Sequence, residues 1–331
     1  MAFMGFRHGH IFGVYNAKCA DVEIVGACEE HAETRASLKQ SGQANVTHDK
    51  FEKMLDELDF DILAVGDYYG RRGAILIEAL KRGKHVISDK PICTRLTEVN
   101  EIERLARQMN LAVGCQLDQR SSGIVLALRK LIRNGEIGEI HAIAFGGQHP
   151  LNYKARPSWY FEKEKHGGTI NDITIHAFNT LPWVTGLRFA RVDAARNWNA
   201  RLKEVPHFKD AAQVMLTMEN GCGVLGDVSY FAPDSFGYTL PQYWRYTLWG
   251  SGGVVETTPA NLVLYRDGEK EPRIIPPDKP ITGFYLDSFL REVRGQSAAD
   301  DLTTSEVIHS SRNTLLAQKA ADDGLHDVAL E

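Results

Sequence analysis

Gly83-Lys84-His85-Val86-Ile87-Ser88-Asp89-Lys90-Pro91 is the stretch from which the fold is read. His85 to Ser88 has the character of a short strand; it follows a helical run ending in Lys81-Arg82 and stops at Asp89-Lys90-Pro91. Pro91 removes a backbone donor and restrains Lys90 to an extended conformation, so the strand ends there. A lysine at the carboxyl end of a strand stands where open α/β sheets bind ligands. Taken alone, Lys90 reads as a surface lysine before a turn. The flanking segments decide between these readings.

Upstream, Ala2 to Met4 is a candidate strand running into Gly5-Phe6-Arg7-His8-Gly9-His10, and Ile11, Phe12 and Tyr15 then keep a helical spacing. Strand, glycine turn and helix form the context of a dinucleotide fingerprint, although Arg7 and His10 stand where G-x-G-x-x-G wants glycine. Arg7 can meet a phosphate alongside the backbone donors of the following helix. An ordinary strand-to-helix turn is the competing reading. Val22 to Cys28 is the next apolar run and ends in Glu29-Glu30. Glu29 lies where an acidic residue hydrogen-bonds the adenosine ribose, and its charge would repel a 2′-phosphate, which favours NAD over NADP. The same residues suit an acidic helix start. Asp61 to Val65 and Leu111 to Cys115 are further strands, with helical patterns at Ala74 to Leu80 and Glu98 to Met109. This alternation predicts an α/β unit over residues 1–120, a Rossmann-type doubly wound parallel sheet that binds NAD. Gly66-Asp67-Tyr68-Tyr69-Gly70 and Asp89 to Pro91 would lie on its ligand edge.

After about residue 120 the pattern changes. Ile124, Leu128, Leu131 and Ile132 make an amphipathic helix, and strand candidates follow at Ile140, Phe189, Ala212, Val224, Tyr243, Val254 and Leu262 without helices of crossover length between most of them. Residues 121–331 are therefore expected to form an α+β domain with a large, mostly antiparallel sheet of about six strands, used for substrate binding and oligomerisation. Lys270 to Pro280, with its four prolines, reads as an irregular excursion. Trp244, Tyr246, Leu248, Val214 and Leu216 alternate with period two, which suggests an apolar outer face. A net charge of -5 gives no support to nucleic-acid or membrane-surface partners. The opening Met1 to Gly5 run is too short for a leader or a span, and the five cysteines are scattered without metal spacing, so a cytoplasmic protein with reduced thiols is expected.

Gly167-Gly168-Thr169-Ile170-Asn171-Asp172-Ile173-Thr174-Ile175-His176 is the second informative segment. Asp172 and His176, four apart, would share one helical face. A metal reading exists for such a pair, but a catalytic zinc usually needs a third protein ligand, so no metal is expected. A buried cap or core histidine is the plainer alternative, and it leaves four neighbouring polar side chains needing partners. Taken with the N-terminal glycine turn, Glu29, Gly83 to Pro91 and Gly135-Glu136-Ile137-Gly138, this segment resembles the glucose–fructose oxidoreductase, inositol dehydrogenase and rhizopine-catabolism family, Gfo/Idh/MocA, along nearly the whole chain. Two departures stand out. The family's Glu-Lys-Pro is Asp89-Lys90-Pro91 here, and its Thr-Pro-Asn followed by histidine is Asp67-Tyr68-Tyr69 followed by Arg72.

The resemblance implies hydride transfer between nicotinamide and a secondary or anomeric hydroxyl of a sugar, cyclic polyol or sugar acid. It implies His176 as the acid/base, Lys90 bridging substrate hydroxyl and nicotinamide ribose, and Asp172 on the substrate. Gly5, Arg7, His8, Gly9, His10, Ile11, Glu29, Asp67, Tyr68, Arg72, Asp89, Lys90 and Pro91 would border the cofactor. His149, Arg156, Trp159 and Tyr160, with Arg120 and Asn171, join Lys90, Asp172 and His176 as substrate-wall candidates; the Trp159-Tyr160-Phe161 patch reads as well as core or subunit contact. Other readings are a keto-sugar reductase, a redox-neutral enzyme that retains its cofactor, and a non-catalytic NAD or sugar sensor. Family members pair through the second-domain sheet, so a homodimer or homotetramer is expected.

Overall fold

The computed structural model describes residues 1–17, 19 and 21–330. Its first sheet contains β1 (Ala2–Met4), β2 (Gly26–Cys28), β3 (Ile62–Val65), β4 (His85–Ser88) and β5 (Val113–Cys115), all parallel, in the order β2-β1-β3-β4-β5. Apart from His85 every residue of these strands is buried, which is why they read as continuous apolar runs. Helices α1 (Ile11–Tyr15), α2 (Ala32–Ser41), α3 (Phe51–Glu57), α4 (Tyr69–Lys81) and α5 (Leu96–Met109) lie along the connections. In α5, Val99, Ile102, Leu105 and Ala106 recur at helical spacing and are buried, and Asn110, left-handed at φ 52°, ends the helix by donating its N–H to the Ala106 carbonyl. Strand order reverses between β1 and β3. The carboxyl ends of those two strands therefore open on the point where such sheets take ligands.

The second sheet has nine strands where about six were expected. These are β6 (Ile140–Pro150), β7 (Phe189–Trp198), β8 (Ala211–Met218), β9 (Gly223–Ala232), β10 (Trp244–Gly250), β11 (Gly253–Thr257), β12 (Leu262–Arg266), β13 (Arg273–Ile275) and β14 (His326–Ala329), in the order β13-β12-β11-β10-β6-β9-β8-β7-β14. All neighbours are antiparallel except β6 and β9, which run parallel. β13 falls inside the proline-rich excursion; it pairs only with β12, and an edge position tolerates flanking prolines. A second correction concerns faces. Val214, Leu216, Tyr246 and Leu248 are buried and Trp244 is half-buried, so that alternation marks the inner face. The exposed partners on the same strands are Gln213, Met215, Arg245 and Trp249. Helices α6 (Gly123–Arg133), α7 (Ile175–Thr185), α8 (Phe284–Val293) and α9 (Thr304–Asp323) complete the chain. Among the described residues no helix is long and apolar enough to cross a membrane.

The chain forms two compact units, each assembled from three segments of sequence. Unit one joins Met1–Gln116 with Pro157–Gly167 and Gly283–Ile308, and unit two holds Leu117–Arg156, Gly168–Thr282 and His309–Glu331. Packing explains why 157–167 belongs to the first unit. Trp159 and Tyr160 are buried against Tyr69 with Tyr68 and Phe161 at the margin, and the Gly70 N–H donates to the Lys165 carbonyl at 2.8 Å. This segment is a strap lying across the start of α4. A Cβ on Gly70 would sit 2.2 Å from the Glu164 carbonyl oxygen, whereas one on Gly9 would meet nothing within 4 Å. Gly70→Ala is thus expected to lower stability by about 1–3 kcal/mol through overpacking, and Gly9→Ala by less than about 0.5 kcal/mol. Equilibrium denaturation of the two variants checks the contrast, and equal losses would contradict it.

Candidate active site

At the end of β1 the chain must turn sharply beneath Asp67. Gly5 adopts φ 81°, and a Cβ there would come 2.7 Å from Asp67, so glycine is required on both counts. The loop is tied down by the Gly5 N–H on the Cys28 carbonyl at 2.9 Å and the His8 N–H on the Gly66 carbonyl at 3.0 Å. Ile11 then packs under Gly66, where an added Cβ would lie 2.4 Å from the Ile11 Cβ. Glu29, 1% exposed, accepts the Phe6 N–H at 2.7 Å and the His31 N–H at 2.8 Å; burial raises its pKa while these bonds lower it, with a net rise. Arg71 bridges Asp67 and Glu30, and Arg7 lies 3.8 Å from Asp67 and over the Tyr68 ring.

Asp89 is the hub of this unit. It is fully buried beyond β4 and takes His8 Nδ1 and Arg72 Nη2 on Oδ2, with His10 Nδ1 at 3.4 Å from Oδ1. Although burial pushes its pKa up, His8 and Arg72 with the hydrogen bonds of His10 and His8 hold it well below the usual carboxylate range. An ionised carboxylate only accepts, so His8 Nδ1 carries the proton and His8 Nε2 is left to accept from the Tyr160 hydroxyl at 3.0 Å and the Tyr69 hydroxyl at 3.2 Å. His8, His10 and Asp89 also bring metal-ligand atoms within 4.8 Å of one another. Both His8 ring nitrogens are committed and Asp89 Oδ2 faces a guanidinium, whereas the buried Asp89 Oδ1 accepts no well-formed hydrogen bond among the described residues. Lys90 follows, 4% exposed, with a cis bond to Pro91. Arg72, expected beside the cofactor phosphates, lies fully buried on the carbonyls of Asp67, Asp89, Lys90 and Pro91.

In the second unit the regular helix expected from Gly167 onward is a π-turn, Ile170–Thr174, that feeds α7. Its start is held from α9: Gln318 Oε1 accepts the Ile170 N–H at 3.0 Å and the Asn171 N–H at 3.2 Å. Gly168, at φ 98°, admits that amide, since a Cβ would lie 2.2 Å from Gln318 Oε1. Asp172 Oδ2 accepts the Tyr230 hydroxyl, and the His176 ring meets Trp244 edge-on at 5.6 Å. His149 stands among Tyr230, Tyr238, Tyr243 and Trp244, with Arg156 over the Tyr230 ring and donating to the Leu151 carbonyl at 2.9 Å. Arg120 donates to the Asn179 carbonyl at 3.2 Å. The structure thus brings Asp172, His176, His149 and Arg156 into one aromatic-lined neighbourhood of unit two, while Trp159 and Tyr160 are built into unit one, where Trp159 Nε1 donates to the Arg7 carbonyl at 3.1 Å. Tyr230, Tyr243 and Gln318 do not read as site residues from the sequence, and Trp244 was expected on an outer sheet face; each reaches the site from a segment distant in sequence, with no local motif.

A dinucleotide fits the residues of the first unit. The space over Gly9 is open, Arg7 lies beside it, and Glu29, Glu30 and Asp67 give the neighbouring edge an acidic character. Burial pushes the His8 pKa down to about 4 against the pull of Asp89. The native state therefore resists a proton that the unfolded chain accepts near 6.5. Stability from this residue is complete above that value and is lost as pH falls toward 4, by up to about 3 kcal/mol. His8→Gln should flatten the pH dependence of the urea midpoint between pH 7 and 4.5, and an unchanged slope would show that His8 is not buried neutral.

Two family models match the chain. Residues 2–117 match the oxidoreductase family with an NAD-binding Rossmann fold, and residues 125–256 match the GFO/IDH/MocA C-terminal domain. The chain is 28% identical to D-xylose dehydrogenase of Paenarthrobacter nicotinovorans over 41% of its own length and 26% identical to levoglucosan dehydrogenase of Pseudarthrobacter phenanthrenivorans over 58%. These matches span 36% and 49% of the two relatives. A solved Thermotoga maritima structure superposes with a TM-score of 0.85 over 99% of each chain at 24% identity, which speaks to the fold. With the parallel sheet and its glycine turn in one unit and the nine-stranded sheet in the other, both matched by models of one family, the chain belongs to the Gfo/Idh/MocA oxidoreductases.

Proposed function

We propose that the chain is an NAD-dependent oxidoreductase that moves hydride between nicotinamide and a secondary or anomeric hydroxyl of a sugar, cyclic polyol or sugar acid. The observation that carries this reading is Lys90, anchored immediately beyond β4 at the ligand edge of a dinucleotide-type sheet. The sugar dehydrogenases among its relatives support the substrate class. When bound, the nicotinamide supplies the hydride acceptor or donor. His176 takes or returns the hydroxyl proton, a task suited to an imidazole, which can both accept and donate a proton. Asp172, oriented by the Tyr230 hydroxyl, accepts a hydrogen bond from the sugar, and the Lys90 ammonium stabilises the developing alkoxide. His149 and Arg156 offer donors to the remaining hydroxyls, and the surrounding aromatic rings can cover the apolar face of a pyranose. On the first unit, Gly5, Arg7, Gly9, His10, Ile11, Tyr68 and Pro91 border the cofactor, and Glu29 selects against a 2′-phosphate.

The exposed face of the second sheet supports self-association. Thr247, Ala144, Leu225, Met215 and Ala194 line up in register across five strands, beside a second row of Arg245, Gly146, Asp227, Gln213 and Arg196. Leu225 is 59% exposed and Met215 47%. A second copy of the same face would bury the apolar row and pair the charged one.

Incubation with NAD+ and a panel of aldoses, cyclic polyols and sugar acids, followed by NADH absorbance, tests the activity. Lys90→Met and His176→Ala should each lower turnover on the responding substrate by about 10²–10⁴-fold while a fluorescence titration still reports NAD binding. Near-wild-type turnover in either variant would overturn its role. NADP binding at least as tightly as NAD would overturn the reading of Glu29. Sedimentation should give a dimer or tetramer that Leu225→Glu shifts toward monomer; a monomeric parent chain would contradict the interface.

A further inference from the structure

Arg72 projects from the first turn of α4 and is 0% exposed. Its guanidinium lies over the Tyr69 ring at 4.6 Å. Nε donates to the Asp67 carbonyl at 2.8 Å, and Nη1 faces three successive carbonyls, those of Asp89 at 2.9 Å, Lys90 at 2.7 Å and Pro91 at 3.1 Å. Nη2 lies 3.3 Å from Asp89 Oδ2. Three carbonyl dipoles converging on one nitrogen would repel one another without a cation among them. A guanidinium fits because its planar fork can hold the Asp67 carbonyl with one edge and the turn with the other. The group has no exposed surface from which to meet a diphosphate.

We propose that Arg72 is a positioning residue for Lys90: its guanidinium gathers the Asp89, Lys90 and Pro91 carbonyls and so fixes the turn on which the lysine stands, with the Asp89 carboxylate as its counter-ion. The role rests on the reading of Lys90 as the residue that stabilises the alkoxide. A lysine amine carried on a loosened turn loses its aim, and a displacement of about 1 Å at a reacting group costs on the order of 10²-fold in rate. Lysine at position 72 keeps the charge but is a point donor on a flexible stem, unable to span Asp67 and the turn together.

Two measurements on Arg72→Lys and Arg72→Ala decide the matter. The first needs no substrate: peptide mapping after limited treatment of the cofactor-free protein with an amine-acylating reagent. The Lys90 labelling rate should change several-fold in both variants, with the exposed Lys53 and Lys319 labelling as in the parent chain. The second is steady-state kinetics beside an NAD titration. NAD affinity should stay within about threefold, kcat should fall on the order of 10²-fold with KM little changed, and millimolar guanidinium ion should restore at least tenfold of the loss in Arg72→Ala but nothing in Lys90→Met. Should Arg72→Ala fail to fold, Arg72→Lys carries the test. Unchanged Lys90 labelling overturns the proposal. A tenfold or greater loss of NAD affinity at unchanged kcat does so too, and makes Arg72 a cofactor ligand. If Lys90→Met itself turns over normally, the oxidoreductase reading of Lys90 fails, which is a different result from Arg72 variants that leave a Lys90-dependent reaction intact.

Discussion

A carboxylate with no exposed surface stays ionised only in company, and the company Asp89 keeps organises the first unit. Arg72 comes from α4, His8 and His10 from the loop after β1, and Asp89 itself from the end of β4. Three chain segments far apart in sequence therefore converge on two oxygen atoms. The parallel sheet makes this possible, because β1 and β4 flank β3 and end on the same edge. The chain of contacts continues outward through the His8 imidazole to the Tyr160 and Tyr69 hydroxyls, themselves 2.6 Å apart. Through Tyr160 the buried charge holds the 157–167 strap, so the glycine loop, the turn after β4 and the strap share one electrostatic anchor. Removing Arg72 would leave the Asp89 carboxylate buried without its counter-ion, which is the costly way to alter such a cluster.

The second unit solves a different problem. A short helix bearing Asn171, Asp172, Thr174 and His176 on buried surface would be unstable if those groups lacked partners. The π-turn widens the backbone where they stand, and two partners arrive from elsewhere: the Gln318 amide oxygen from α9 accepts the first backbone N–H groups, and the Tyr230 hydroxyl from β9 donates to Asp172, while the Thr174 hydroxyl is buried without a hydrogen-bond partner among the described residues. Gly168 makes room for the amide. A carboxylate and an imidazole are thereby held in a buried aromatic setting, where electrostatic interactions are stronger than in water.

Strands and turns of the first unit were legible because their signals are local. Short buried runs of three or four residues, Gly5 in a turn and Pro91 at a strand end each carry their reason with them. The second sheet was legible in class but not in detail. Period-two alternation at Val214 and Leu216 reveals that β8 has two faces and is silent on which one meets the core, so the assignment of the outer face inverted. The parallel pairing of β6 with β9 left no trace either, since register across distant strands is set by partners rather than by neighbours. Lys90, Asp172 and His176 stood out because they sit in compact motifs. Arg72 could be noticed as unusual, but its work could not be read, because its partners are backbone carbonyls and every residue has one.

Seen from the Asp89 anchor, the two departures from the family pattern become one. The usual glutamate before the lysine is an aspartate here, one methylene shorter, and the usual histidine after the Thr-Pro-Asn loop is Arg72. Shortening the carboxylate arm withdraws the negative charge toward the β4 backbone. A histidine on α4 would lack both the length and the number of donors to follow it, whereas arginine reaches the carboxylate and has donors left for the carbonyls beside it. Aspartate in turn leaves room for the guanidinium that a longer side chain would fill. In this chain the helix side supplies the reach between helix and turn. Asp89 is the counter-ion of a buried guanidinium, so an uncharged residue in place of Arg72 alone would strand a buried carboxylate.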